Sequence, residues 1–235
     1  MNHESKKEVI TDIIIPVLNE EASIGLVIDS IPKTIVRNII VVDNGSTDGS
    51  QNVASKHGAI VLSENERGYG AACLKGISYI NELPSKPDIV AFIDGDHSDH
   101  AEELPSLLFP IVENEHDLVI GSRALGKSES GSLTPQQIFG NRLATRLLKL
   151  FYGVTYSDLG PFRAIGYKKL TSLGMRDRNY GWTVEMQLKA AKQKLKTSEV
   201  PVSYRKRIGK SKVSGTFKGS VMAGYKIIFT IFKYI

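Results

Sequence analysis

"DIVAFIDGD", residues 88–96, runs from an unbroken apolar stretch straight into Asp94, Gly95 and Asp96. The five residues before Asp94 show no alternation of polar and apolar side chains. That pattern belongs to a strand buried on both faces, in a sheet covered by helices on two sides. The same design recurs along the chain. "VITDIIIPVL" (9–18) precedes a helix over 20–31. "NIIVVDNGSTDGS" (38–50) repeats apolar run, turn residues and a helix through Ser55. "GAIVLSE" (58–64) is a third strand, followed by a helix over 69–81. A helix over 101–113 follows residues 88–96, and "DLVIGSR" (117–123) is a fifth strand. Apolar runs alternating with helical segments predict an α/β, doubly wound domain with parallel strands. Its functional groups should gather at the carboxyl ends of those strands.

The pattern changes after residue 123. "GKSESGSLTPQQ" (126–137) is a polar loop without periodicity, and a helix is expected over 138–150. "SDLGPFRAIGY" (157–167) carries Gly160 and Pro161 where a regular helix has no place. A helix over 182–194, a strand over 198–207 and an apolar helix over 221–235 complete the chain. Residues 1–212 read as the principal domain and 213–235 as a C-terminal apolar, amphipathic segment, without internal repeat or linker. In that segment Lys226, Thr230 and Lys233 make one polar stripe, and Tyr225, Ile227, Ile228, Phe229, Ile231, Phe232 and Ile235 cover the rest. Two placements stay open for it: packing on the domain, or lying in a membrane interface with its lysines at the headgroups.

Among 235 residues, 41% are hydrophobic and 23% charged, the balance of an ordinary globular protein able to bury a core. The single cysteine, Cys73, excludes an internal disulfide and fits a reducing compartment, as a small buried apolar residue. Residues 1–8 are polar and charged, unlike a secretory signal. No stretch reaches the ~20 apolar residues that span a bilayer. A cytoplasmic protein is expected, at most peripheral at the cytoplasmic membrane face. The net charge of +5 is uneven: after Glu199 there is no Asp or Glu but eight Lys or Arg. A basic end of this kind suits an anionic partner or a solvated basic face. The interleaved aromatic and basic residues of RNA-binding modules are absent, so nucleic acid is not expected as a partner.

Asp94 and Asp96 at a strand tip are hard oxygen donors, suited to Mg²⁺ or Mn²⁺ completed by water and substrate phosphates. An EF-hand loop from Asp94 would need Gly at its sixth position and Glu at its twelfth, which hold Asp99 and Pro105. His97 and His100 find no further His or Cys cluster to make a zinc site. Ser98 or Asp99 can also cap the helix that follows. Asp43 ends a second strand near the same crevice, where a carboxylate accepts hydrogen bonds from a base or a ribose. Asn19 and Glu20 mark a third tip. Gly68 and Gly70 start a Gly-x-Gly pattern, but Cys73 stands at the third glycine position and the pattern follows the third strand, which excludes a Rossmann dehydrogenase.

"PVLNEE", "VVDNGSTDGS", "ERGYGAA", "FIDGDHSD", "VIGSR" and "VPVSYRKRIGKSKVSG" follow one another in the order seen in family 2 glycosyltransferases with the GT-A fold. The chain most resembles the dolichyl-phosphate mannose synthase and polyprenyl-phosphate glycosyltransferase group, over nearly its whole length. The resemblance implies a mixed, mostly parallel sheet with helices on both faces and a GT-A catalytic domain over 1–212. It implies an inverting, metal-dependent transfer from a UDP- or GDP-sugar to a polyprenyl phosphate, with Mg²⁺ or Mn²⁺. Pro16, Leu18, Glu20, Gly68 and Gly95 would border the nucleotide and Asp43 would bind the base. Asp94 would reach the ribose or the metal, and Asp96 would hold the metal on the diphosphate. Ser98 stands where the group often has a larger amide ligand, and Asn44 where it commonly has an aspartate. Arg123, Arg207 and Lys212 match phosphate-contacting positions.

Two acceptor classes make different demands. A hydroxyl acceptor needs a general base, for which Glu185 is the candidate, with Asp158 behind it; Glu185 also suits a pair with Lys189 four residues on. A phosphate acceptor is already an anion and needs cations instead: Arg123, Arg163, Arg207 and Lys212. Gly209, Ser211 and Gly215 favour a mobile loop there. A non-catalytic basic module for membranes or nucleic acid is the other class, and it has no use for acidic clusters at three strand tips. A sugar nucleotidylyltransferase would want a Gly-rich, Lys-containing loop after the first strand, which is missing.

Overall fold

The computed structural model describes residues 9–209 and 217–234, without the side chains of 217–221 and 223. The first half alternates as its sequence dictates: β1 (Thr11–Val17), α1 (Ile24–Ser30), β2 (Asn38–Asp43), α2 (Ser50–Lys56), β3 (Ile60–Ser63), α3 (Tyr69–Glu82), β4 (Ile89–Phe92), α4 (Leu104–Asn114) and β5 (Leu118–Ser122). The second half adds α5 (Pro135–Tyr152), β6 (Arg163–Gly166), α6 (Tyr167–Leu173), α7 (Trp182–Lys192), β7 (Thr197–Pro201) and α8 (Phe217–Lys233). The seven strands lie in the order β3-β2-β1-β4-β6-β5-β7. The β1–β2, β1–β4, β2–β3 and β5–β7 pairs are parallel.

Both faces of β1 are buried, and the period of two sends its side chains to different layers. Ile13, Ile15 and Val17 pack with Ile24, Val27 and Leu104 of α1 and α4. Ile14 packs on the other side with Ala72 and Ile77 of α3, Leu148 of α5 and Trp182 of α7. β1 stays paired with β2 as far as Val17↔Asp43 but with β4 only to Ile14↔Phe92. Beyond that point the two strands part, and Pro16, which has no N–H to offer a ladder, falls where they have opened.

The sheet is mixed and mostly parallel, as the family resemblance implied: β6, which the apolar runs did not announce, runs antiparallel to both β4 and β5. It is four residues long, starts on an arginine and follows Gly160-Pro161, so it carries no apolar run to announce it. The segment expected as strand over 198–207 stops at Pro201, and the chain then makes only isolated bridges from Tyr204 to Asp99 and Ser128. α1 starts at Ile24 rather than 20; residues 21–23 form a turn into it, in which the Ser23 and Ile24 amides donate to the Glu20 carbonyl at 3.0 and 2.9 Å. α5 starts three residues early, at a capping box of Thr134 and Gln137 with Pro135 inside it.

α8 packs on the domain. Ile231 is fully buried, the Tyr152 hydroxyl donates to the Ile231 carbonyl at 2.8 Å, and Lys226 pairs with Asp177 at 3.2 Å. No helix among the described residues is long and apolar enough to cross a membrane.

Candidate active site

Where β1 and β4 separate, a crevice of about 1030 Å³ opens. Pro16, Leu18, Glu20, Asn44, Gly68, Asp94, Gly95, Asp96, Arg123 and Arg207 line it from the strand-tip side. Gly95 is needed there: a Cβ on it would stand 2.9 Å from Cγ2 of Val17. Two backbones take the left-handed region without glycine at these tips, Asn19 (φ 53°) and His97 (φ 62°). Asn19 is held by its neighbour loop: its amide donates to Ser46 Oγ at 2.8 Å, and its Oδ1 accepts from the Thr47 amide at 2.7 Å.

Asp94 follows β4 with its Oδ1 buried and without a hydrogen-bond partner. Burial, then the Asp96 carboxylate, push its pKa up to about 7, against the pull of the Tyr69 hydroxyl and of Arg207. An orphaned carboxylate oxygen beside a second buried carboxylate fits a hard divalent cation. Among the described residues no group of three or more His, Cys, Asp or Glu gathers to hold a metal, so Asp94 and Asp96 stand as a two-carboxylate site. Ser98 is buried, and its hydroxyl and amide both donate to Asp96 Oδ1, at 2.5 and 2.9 Å. Its hydroxyl thus orients Asp96.

The segment after β7 clasps this centre. The Arg205 amide donates to the Ser98 carbonyl at 2.9 Å and the Ile208 amide to the Asp96 carbonyl at 3.0 Å. That pairing delivers Arg207 to the carboxylates: it lies 2.8 Å from Glu20 Oε1 and 3.1 Å from Asp96 Oδ2. Arg123 forms a two-toothed pair with Asp158, at 2.8 and 2.7 Å, and lies 5.1 Å over the Tyr204 ring. Lys212 lies outside the described residues.

Asp43 is buried and does not reach the crevice lining. It accepts from the Gly45 and Ser46 amides at 3.2 and 3.1 Å and from Gln51 Nε2 at 2.8 Å, closing the turn into α2. Its neighbour Asn44 does reach it. The Asn44 amide nitrogen donates to the carbonyls of Glu64 and Glu66, at 3.0 and 2.7 Å, and its oxygen accepts from the Gly68 amide at 2.7 Å. A carboxylate there would place charge against two carbonyls, which accounts for an amide at this position. Gly68 (φ 151°) permits a close approach: a Cβ on it would fall 1.9 Å from the Arg178 carbonyl oxygen.

Two expectations are corrected by burial. Arg163 is fully buried and does not line the crevice; its guanidinium donates to the carbonyls of Leu159, Gly160 and Thr183. It anchors the turn before β6, with no donor turned toward an acceptor phosphate. Glu185 is also fully buried and away from the crevice. Burial raises its pKa, but Lys189, the Tyr234 hydroxyl and the Asp177 and Arg176 amides together hold it below the usual value. Lys189 stands at 2.7 Å and Tyr234 at 2.6 Å. Glu185 pins the loop from 176 to 181 and the end of α8, and is not placed as a base for a hydroxyl in the crevice.

The far side of the crevice was not read from the sequence. Phe139, Leu143 and Ala144 of α5 and Tyr225, Ile227 and Ile228 of α8 form an apolar flank, with Tyr180 and Tyr204 nearby. The one signal for it was the strong apolar content of the last helix.

A family model, glycosyl transferase family 2, matches residues 12–173. An uncharacterized glycosyltransferase of Mycobacterium tuberculosis is 36% identical over 213 residues, 90% of this chain and 93% of that one. An undecaprenyl-phosphate mannosyltransferase of Micrococcus luteus is 29% identical over 233 residues, 89% of each chain. The crystal structure of glucosyl-3-phosphoglycerate synthase from Mycobacterium tuberculosis, with Mn²⁺, UDP-glucose and phosphoglyceric acid, superposes with a TM-score of 0.77 at 25% identity, over 97% of this chain and 80% of that one.

Proposed function

The chain belongs to glycosyl transferase family 2, and we propose that it transfers a sugar, with inversion, from a UDP- or GDP-linked donor to a polyprenyl phosphate, with Mg²⁺ or Mn²⁺ bound at Asp94 and Asp96. The observation that carries the acceptor is the two-sided crevice: carboxylates and arginines at the strand tips, an apolar flank between α5 and α8. A phosphate joined to an isoprenoid chain matches both sides at once. The resemblance to an undecaprenyl-phosphate mannosyltransferase supports the same reading.

In the proposed reaction an acceptor phosphate oxygen forms the bond to the anomeric carbon. The bond from that carbon to the diphosphate oxygen breaks, and its electron pair leaves with the nucleoside diphosphate. A phosphate monoester is an anion at neutral pH and needs no base. Glu185, enclosed by its own hydrogen bonds, fits that absence of a base. Arg207 and Arg123 position the anions, and Asp96 is oriented by Ser98. When bound, the cation offsets the charge that builds on the leaving diphosphate. Pro16, Leu18, Glu20, Asn44, Gly68 and Gly95 shape the nucleotide end.

The test is a screen of UDP- and GDP-hexoses with Mg²⁺ or Mn²⁺, offered farnesyl phosphate or phosphoglyceric acid and read by mass spectrometry. A metal-dependent farnesyl phosphate–sugar product is expected. A product on phosphoglyceric acid alone would replace the lipid reading with a soluble acceptor.

A further inference from the structure

Eight of the twelve exposed large hydrophobic side chains among the described residues stand on α5 and α8. On α8 they fall at 222, 225, 229 and 232, spacings of three and four that line one side of a helix. The opposite side of α8 is already spent, with Thr230 and Ile231 buried against the domain. α8 therefore presents a second apolar stripe to water, which an ordinary surface helix does not. Leu150 (73% exposed) and Phe139 (69%) extend it onto α5. Phe151 and Phe232 meet edge to face at 5.4 Å and join the two helices into one surface. Phe139 and Tyr225 also line the crevice, so the apolar surface runs to its mouth.

The exposed charges that α5 and α8 themselves carry have one sign; Asp177 and Glu185, which reach α8 and its end from other elements, are buried or nearly so in pairs with Lys226 and Lys189. Arg142, Arg146 and Lys149 are exposed on α5 and Lys233 on α8. Neither 130–157 nor 200–235 contains an Asp or Glu. A second copy of this chain docked symmetrically would press two cationic rims together. An anionic lipid surface instead takes the aromatic and aliphatic side chains at its acyl boundary and the Lys and Arg groups at its headgroups.

We propose that α5 and α8 form a docking face for an anionic bilayer, seating the crevice mouth at the membrane surface. This goes beyond the transfer reaction, and its support does not depend on the identity of the acceptor. Flotation of the full chain with phosphatidylcholine vesicles, with or without phosphatidylglycerol and free of polyprenyl phosphate, tests it. The chain is expected to float with the phosphatidylglycerol vesicles and to be released by salt. Leu150→Ser with Phe229→Ser should weaken binding at least about tenfold, with the melting temperature unchanged. Phe109→Ser, equally exposed on α4 across the sheet, should leave binding intact. Three results would overturn the proposal: wild-type chain that stays unbound, a double variant that floats like wild type, or a dimer that the double variant splits while no vesicle binding occurs.

Discussion

At one end of the crevice, Glu20, Asp94 and Asp96 gather on short loops that leave the buried strands β1 and β4, and Arg207 joins them from the segment after the half-buried edge strand β7. At the other, Leu143, Ala144, Ile227 and Ile228 face inward from two helices that belong to no βαβ unit. The first end is polar and rigidly held, because each tip is hydrogen-bonded to the next: Asn19 to Ser46, Asp96 to Ser98 and Ile208. The second is apolar and held by packing and a few polar ties from α8. In the proposed reaction the contrast divides the work: charged chemistry at the strand tips, choice of acceptor at the helices.

Substitutions can break that division. Asp96→Ala should have the largest effect, removing at least about 10³-fold of transfer and abolishing metal-dependent nucleotide binding by calorimetry. Turnover near wild type would move the charged chemistry elsewhere. Glu185→Gln should act on stability, costing about 3 kcal/mol as a buried pair loses one partner; the protein that remains folded should still turn over. Loss of activity in fully folded protein would restore Glu185 as a base. Arg207→Ala should lower kcat/KM by about 2 kcal/mol, or some thirtyfold, because it removes the cation that bridges Glu20 and Asp96. Asn44→Asp should cost about 1–2 kcal/mol in denaturant unfolding, since two carbonyls lose their donors.

An effect of another kind is the pH dependence of the metal-free protein. Asp94 titrates at about 7 when folded, above its usual 3.8. The folded chain therefore binds more protons than the unfolded one between those values. The contribution of Asp94 to stability is fully present below pH 4 and is lost as pH rises through 7. Melting temperature should fall over this range, less steeply in Asp94→Asn. An equal slope in that variant would remove Asp94 as the source.

The first half of the fold was legible because each strand centres on an apolar run followed by turn residues, and Asp43 and Asp94 stand directly at the ends of two of those runs. Asp94, Asp96, Glu20 and Arg207 came together as the motifs implied. β6 was not legible: its four residues have meaning only between β4 and β5. The roles of Glu185 and Arg163 depend on burial, and no local pattern reveals that a charged side chain is enclosed by carbonyls or amides. Asp43 read as a base ligand because it ends a strand, and the structure shows its Oδ2 also closing the turn into α2. The apolar flank was hidden because α5 and α8 are about 80 residues apart and each alone resembles ordinary core.

The most direct test of the division is the ratio of kcat/KM on farnesyl phosphate to that on phosphoglyceric acid, measured for wild type and for Leu143→Ser with Ile228→Ser. Both side chains line the flank and stand on helices separate in the chain from the carboxylates' loops. The account predicts a wild-type ratio well above one and a fall of about tenfold or more in the double variant, with donor affinity unchanged. An unchanged ratio, or a wild type that prefers the soluble acceptor, would contradict it.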